Sequence, residues 1–254
     1  MKFTVNTKEM EKALTDIQVK GKYQKDTGLT NGSLDSTVKF ECVDNTLTLS
    51  NADVGTFVVR LTLEVEGEEN GSYVGDVSKI ISYLKKFGDT TSFHVTDNLT
   101  IVSGSRKAKM PTIVEHPNDN AITRISAMTS GISYREDEQM FSFGKGKFEC
   151  KFALSSEDFD STMSMAELVG RGIYRIETKD GEVKFSSSQH ASNHYEEVVE
   201  TSQYVGEEAT VEFSSPLHKF FPKGQVLNFY VRDDFPILVI SEDRMIIKAP
   251  TIEG

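Results

Sequence analysis

Five histidines, His94, His116, His190, His194 and His218, are the first residues to test for chemistry. They are scattered along the chain. His190 and His194 lie close enough to suggest a metal, but no cysteine or third histidine stands near them and the stretch around them reads as loop, so no metal site is assigned. The carboxylate pair Asp233-Asp234 falls in a hairpin turn, where Asp is expected for backbone reasons. The serines of SSSQ at 186–189 have strand or turn composition, unlike the tight elbow that exposes a nucleophile. There is no P-loop, GxGxxG, HExxH or CxxC pattern. The expectation is a protein without catalytic residues, metal or cofactor.

The side chains left with a chemistry to offer are lysines on helix faces. Met10, Ala13, Leu14 and Ile17 make the apolar stripe of a first helix, with Thr7 as its expected N-cap, and its opposite face carries Lys8, Lys12 and Thr15. A second helix, Asp76 to Phe87, buries Val77, Ile80, Ile81, Leu84 and Phe87 and shows Lys79, Ser82 and Lys86. A third, capped by Ser155 or Ser156, buries Phe159, Met163, Ala166 and Val169. Its outer face has Glu157, Ser161, Ser164 and Leu168, with Arg171 past its end. A short fourth helix buries Leu217, Phe220 and Phe221 and shows Lys219, with Lys223 just beyond. The formal net charge is -11, which argues against a surface that grips nucleic acid all over. Acidic residues crowd at Glu64–Glu69, Glu196–Glu200 and Asp233-Asp234, so the charge is segregated. A solvated helix face accounts for any one lysine. Recurrence on three of the four helices points to loose, sequence-blind contact with phosphates.

The elements that carry these helices are written twice. YVGDVSKIISYLKKFGDTTSFHVTDNLTIV at 73–102 and FSSPLHKFFPKGQVLNFYVRDDFPILVI at 213–240 place Lys79 with Lys219, Gly88 with Gly224, Phe93 with Phe229, and Asp97-Asn98 with Asp233-Asp234. The opening FTVNTKEM at 3–10 likewise matches FALSSEDF at 152–159. Hairpin signals recur at Asp44-Asn45 and Lys179-Asp180-Gly181. Each half reads β-α-β-β-β-α-β-β-β, give or take a strand. The fold class is therefore α+β, with two similar domains, each setting two helices against antiparallel sheet. The expected boundaries are 1–117 and 148–254, joined by a connecting segment 118–147 that reads as a crossing linker with some extended structure. Its apolar residues Ile125, Met128 and Ile132 are either pinned linker side chains or one wall of a docking groove. Only Cys42 and Cys150 are present, which makes no disulfide framework and suggests a reduced, intracellular setting. No apolar run approaches a membrane span, and MKFTV runs into a strand without a leader-like pattern.

Taken together, KDGEVKFSSS at 179–188, DDFPILVI at 233–240 and the closing KAPTIEG, with NADVGTFVVRLTL at 51–63 and VSKIISYLKKFG at 77–88, resemble the DNA polymerase sliding clamps of the proliferating-cell-nuclear-antigen type, eukaryotic, archaeal or phage-like. The order and spacing of these stretches and the duplication carry the resemblance. It implies the DNA clamp fold, sheets outside and helices inside, and a homotrimeric ring of six domains whose edge strands pair between subunits. The implied function is a non-catalytic processivity factor that encircles duplex DNA and tethers polymerase, clamp loader and other replication and repair proteins. The alternative is a subunit of a heteromeric or open-ring clamp. The location would be the nucleus, or the cytoplasm and nucleoid, with no membrane partner.

The resemblance aligns Lys12, Lys79 and Lys223 with lysines of the hole, and the helical wheel adds Lys8, Lys86 and Lys219. The third helix departs from the family in lacking arginines, which implies weaker DNA contact there. The implied partner pocket holds Pro236, Ala249 and Pro250, with Ile246 and Ile247 where aromatics are common, and draws on Ile125, Met128, Ile132 and Tyr134 from the connecting segment. Ser50 stands where a relative has methionine. Partners would insert short peptides with apolar anchors.

Overall fold

The computed structural model describes residues 1–19, 37–52, 57–112, 120–170, 172–189 and 193–251. The chain forms two compact units, the first mainly from residues before Ser126 and the second from Ser126 onward. In the first, β1 (Lys2–Asn6) leads into α1 (Thr7–Asp16). Then come β2 (Thr37–Val43), β3 (Thr46–Ala52), β4 (Phe57–Glu64), β5 (Glu66–Glu69) and β6 (Gly71–Asp76), followed by α2 (Val77–Leu84) and by β7 (Thr90–Val95), β8 (Asn98–Ser103) and β9 (Arg106–Pro111). After it come α3 (Asn120–Ser130), β10 (Ile132–Arg135), β11 (Met140–Phe143) and β12 (Gly146–Lys147). The second unit continues with β13 (Cys150–Ser155), α4 (Ser156–Glu167), β14 (Ile173–Lys179), β15 (Glu182–Ser188), β16 (His194–Val199), β17 (Ser202–Gly206) and β18 (Ala209–Ser214). A 3-10 turn at Leu217–Phe220 precedes β19 (Val226–Val231), β20 (Ile237–Ile240) and β21 (Arg244–Lys248).

The duplication extends to strand order. The first unit pairs β5-β1-β7-β8-β9 and β4-β3-β2-β6; the second pairs β17-β13-β19-β20-β21 and β16-β15-β14-β18. Each order becomes the other when strands are renumbered from the start of its unit. The residues aligned in the sequence are also the ones that meet. Phe3 lies opposite Phe93 with their aromatic rings stacked at 4.8 Å and 7°, and Phe152 lies opposite Phe229, stacked at 4.9 Å and 4°. In the first core Phe93 also meets Phe40 at 6.4 Å. In the second Phe159 of α4 wedges against Phe229 at 4.9 Å and Phe185 at 5.9 Å, joining the two runs of strands.

Local chemistry explains most elements. Asn6 caps α1, its side-chain oxygen accepting from the Lys8 and Glu9 amides at 2.9 and 3.2 Å; Thr7, the expected cap, is instead the first helical residue and is buried. Asp76 caps α2 through the Lys79 amide, and Ser155 caps α4 through that of Asp158. The hairpins turn where the sequence puts Asp, with Asp44, Asp180 and Asp234 all at positive φ.

The acidic run from Glu66 forms the edge strand β5. Two expectations change. The connecting segment holds a helix and a three-stranded meander. The fourth helix is only a 3-10 turn: Pro222 makes the preceding Phe221 extended, at φ -104 and ψ 128, and ends the coil after one turn. No described helix is long and apolar enough to cross a membrane. Cys42 and Cys150 are buried free thiols, and burial raises the pKa of each.

Candidate functional site

On the first unit the lysines stand as the stripes require. Met10, Ala13 and Leu14 bury one side of α1, leaving Lys8 and Lys12, one turn apart, exposed. Val77, Ile80, Ile81 and Leu84 bury α2, leaving Lys79 exposed, with Lys86 exposed just past its end. The helices are neighbours, joined at one point by the Gln18 side-chain amide donating to the Ser78 hydroxyl at 3.4 Å. Lys85 and Tyr83, also exposed and absent from the sequence reading, extend the same surface.

The second unit differs. The exposed residues of α4 are Glu157, Asp158, Ser161, Ser164 and Met165, with Leu168 beyond it. Lys219 is on the 3-10 turn, and its ammonium is 2.6 Å from a carboxylate oxygen of Glu167. Lys223 is exposed beside Glu157. The Glu157 carboxylate is held below the usual range, first by the Ser156 hydroxyl and also by the Gly224 amide and the Lys223 charge. The two lysines assigned here to DNA thus each face a carboxylate of α4, whereas the described structure shows no ion pair for Lys8, Lys12, Lys79 or Lys86. Arg171, His116 and His190 lie outside the described residues. Among those described, no group of three or more His, Cys, Asp or Glu could hold a metal.

The same turn buries His218, whose Nε2 is 3.9 Å from a carboxylate oxygen of both Glu167 and Asp160 and whose Nδ1 has no hydrogen-bond partner. Burial depresses its pKa to about 4, with Glu167 opposing the fall, Lys219 adding to it and Asp160 opposing it. The folded state therefore resists a proton that the unfolded chain accepts near pH 6.5. Stability is intact above pH 6.5 and falls as the pH drops toward 4. Between pH 7 and pH 5 the loss from this group is about 2 kcal/mol. Urea titrations over that range should show it, and His218→Asn should flatten the slope; an unchanged slope would rule the residue out as its source.

The second set of residues belongs to the connecting segment and the chain's end. Ile125 is buried, Met128 and Ile132 are half-buried, and Tyr134 is exposed. β10 pairs with β11 so that Ile132 lies opposite Phe143 and Tyr134 opposite Phe141. From there aromatic rings run in contact: Tyr134 to Phe141 at 4.9 Å, Phe141 to Tyr230 at 4.9 Å, Tyr230 to Phe148 at 6.2 Å, Phe148 to Phe235 at 5.2 Å and Phe235 to Phe143 at 6.1 Å. The loop zips onto the second unit's strands, next to half-buried Pro236. Phe141, Phe143 and Phe235 are absent from the sequence reading; the alternation of Phe141 and Phe143 with Ser142 and Gly144 is a signal for the first two, and nothing comparable marks Phe235.

Ile246 and Ile247 require correction. They were expected as the floor of an apolar groove, but they are 0% and 1% exposed, paired with Val239 and Leu238 of β20 and closed into the core. Sheet burial on both faces outweighs the alignment. Ala249 and Pro250 are half-buried, and the Thr251 amide donates to the Glu212 carbonyl at 2.7 Å, which holds the tail along β18. Ser50 is fully buried.

No family model matches the chain, and no curated protein matches it in sequence. Solved structures do match in shape. The DNA polymerase III beta subunit of Thermotoga maritima superposes over 100% of this chain and 66% of its own, with a TM-score of 0.74 at 14% identity. The beta chain of Streptococcus pneumoniae does so over 100% and 65%, at 0.75 and 13%. The PCNA of A. fulgidus, solved with the C-terminal region of FEN-1 bound, covers 100% of this chain and 99% of its own, at 0.69 and 14%. This chain thus spans just under two thirds of those two bacterial proteins and nearly the full length of the archaeal one. The likeness is one of architecture, and by it the chain has the fold of the DNA sliding clamps.

Proposed function

We propose that the protein is a non-catalytic processivity clamp: three copies close into a ring around duplex DNA and tether polymerase and other replication and repair proteins to it. The observation that carries this reading is the doubled unit whose first copy turns Lys8, Lys12 and Lys79 outward from helices backed by sheet. Lysine heads on flexible stems suit a backbone that must be held without being read. The fold shared with polymerase beta subunits and with PCNA supports the same reading. The domains are taken as 1–117 and 148–254 with 118–147 between them. Light scattering should give three times the 28.3 kDa chain mass, and the protein should stimulate a polymerase only on DNA that keeps a ring from sliding off. A stable monomer would favour a heteromeric or open clamp.

The partner surface is the aromatic one. Tyr134, Ile132, Met128 and Pro236, with Phe141 and Phe235 beside them, would take the apolar anchor of a partner's peptide, while its extended part follows Ala249 and Pro250. The A. fulgidus protein was solved with such a terminal segment bound. Removing residues 249–254 should leave assembly intact and weaken a partner peptide by about tenfold, roughly 1.4 kcal/mol. Calorimetry on full-length and truncated protein measures this, and equal affinities would place the groove elsewhere.

A further inference from the structure

The half-buried cations of the second unit stand beside carboxylates, with one exception among the described residues. Arg175 and Lys184 both reach Glu177, at 2.9 and 2.6 Å, and Arg232 reaches Glu149 at 3.1 Å. Lys151 has no carboxylate; its ammonium lies 5.8 Å from the centre of the Tyr230 ring. Glu149, the acid nearest to it along the chain, is the one that Arg232 occupies. An ammonium over an aromatic face keeps its charge while its stem packs on the sheet. Of the connecting segment's cations, Arg135 and Lys147 are both held by Glu138.

Strand pairing gives this charge a definite place. Val205 of β17 lies opposite Lys151 of β13, Lys151 opposite Tyr230 of β19, Tyr230 opposite Leu238 of β20, and Leu238 opposite Ile247 of β21. Directly opposed residues share a face, so these five form one row across the strands. Over the middle of the row sits Phe141, edge-on to Tyr230, with Tyr134 against Phe141. At one end the chain leaves β21 toward Ala249 and Pro250. At the other end lie Lys151 and the exposed Val205. The unpaired cation and the chain's tail thus flank the aromatic rings on opposite sides.

We propose, resting on the aromatic partner surface described above, that Lys151 reads a carboxylate on the partner's peptide. The carboxylate belongs to an Asp or Glu about two to four residues from the apolar anchor, on the side away from Ala249 and Pro250. Neighbouring strands are about 4.8 Å apart, and an extended chain advances about 3.3 Å per residue. A peptide that lays its anchor on Tyr134 and Phe141 and crosses the strands therefore comes over β13 within that interval. A half-buried ammonium without a partner gains from a carboxylate and repels a basic side chain, so Lys151 sorts partners by charge where the aromatic rings sort them by shape. The ion pair forms at the rim of a pocket and not within it, so it selects among peptides more than it holds them.

Selection from a displayed library tests it. The probe is a set of short peptides with a fixed Phe-Phe pair and all other positions random, selected in parallel on the wild-type protein and on Lys151→Glu. Wild type should enrich Asp and Glu on one side of the pair, and Lys151→Glu should enrich Lys and Arg at the same positions. A synthetic copy of the best wild-type peptide, with its acidic residue changed to the matching amide, should bind wild type about fivefold more weakly by fluorescence anisotropy. On Lys151→Met, which keeps the packed stem, the same change should cost nothing. Acidic enrichment that is the same on both proteins, or a loss that persists on Lys151→Met, would mean that another cation such as Lys145 reads the peptide. No charge preference at all would overturn the proposal with the aromatic surface intact. Selected peptides that bind Tyr134→Ala as tightly as wild type, or a library that yields no binder, would overturn the aromatic surface itself and this inference with it.

Discussion

A chain carrying Lys8→Ala, Lys12→Ala, Lys79→Ala and Lys86→Ala will fold and assemble like its parent, yet escape from loaded duplex about a hundredfold faster at physiological salt. The four side chains are exposed, so each substitution leaves stability within about 0.5 kcal/mol. Four phosphate contacts, each contributing roughly 0.9 to the log–log salt slope, are worth up to about a thousandfold between 1 M and 0.15 M salt. Flexible stems in partial contact bring that down to the stated figure. Lys219→Ala is the comparison that separates charge from position. Its ammonium is already 2.6 Å from Glu167, so its loss should change dwell time little, and Glu167→Gln, which frees it, should lengthen dwell. Dwell on a linear duplex with an open end, followed by labelled protein across a salt series, reads all three. A wild-type dwell for the fourfold variant would remove the first unit's helices from DNA contact.

Phe229→Ala and Phe93→Ala will each cost about 3–5 kcal/mol, with Phe229→Ala the larger. Both side chains are wholly buried and each stacks on its cross-strand partner, Phe152 for Phe229 and Phe3 for Phe93. Phe229 also touches Phe159 and Phe185, while Phe93 has Phe40 as its further aromatic neighbour. The cavity left at 229 is therefore lined by more aromatic surface that cannot collapse into it. Urea unfolding, with hydrogen exchange to assign the loss to one unit or the other, measures both. Phe→Leu at either site should recover much of the stability. A larger cost at 93 than at 229 would mean that the aromatic wedge of α4 contributes little.

Duplication was legible because the pairs that align in sequence, Phe3 with Phe152 and Phe93 with Phe229, are core residues whose spacing the sheet cannot change. The caps of α2 and α4 and the Asp turns were legible because their chemistry is local. What failed was non-local. Nothing near Lys219 in the chain announces Glu167, which lies a full hairpin system away in sequence. Ile246 and Ile247 are adjacent and so face opposite sides of β21, and only the packing on both faces shows them closed in. The hairpin at 132–143 was hidden by the polar turn REDEQ, which breaks the alternation of Ile132 and Tyr134 with Phe141 and Phe143. The shortening of the fourth helix was readable in principle, since Pro216 and Pro222 bracket it.

The zipped hairpin has a kinetic meaning. A peptide that must first organise a slack loop loses part of its binding energy to ordering that loop and arrives slowly. Here residues 132–147 are already held by backbone pairing and by the contact of Phe141 with Tyr230 and Phe143 with Phe235. A ligand at this surface meets a finished wall. Its association should therefore run near the ordinary encounter rate, with a heat-capacity change that reflects only the area it covers, so that differences among ligands are expressed in how slowly they leave.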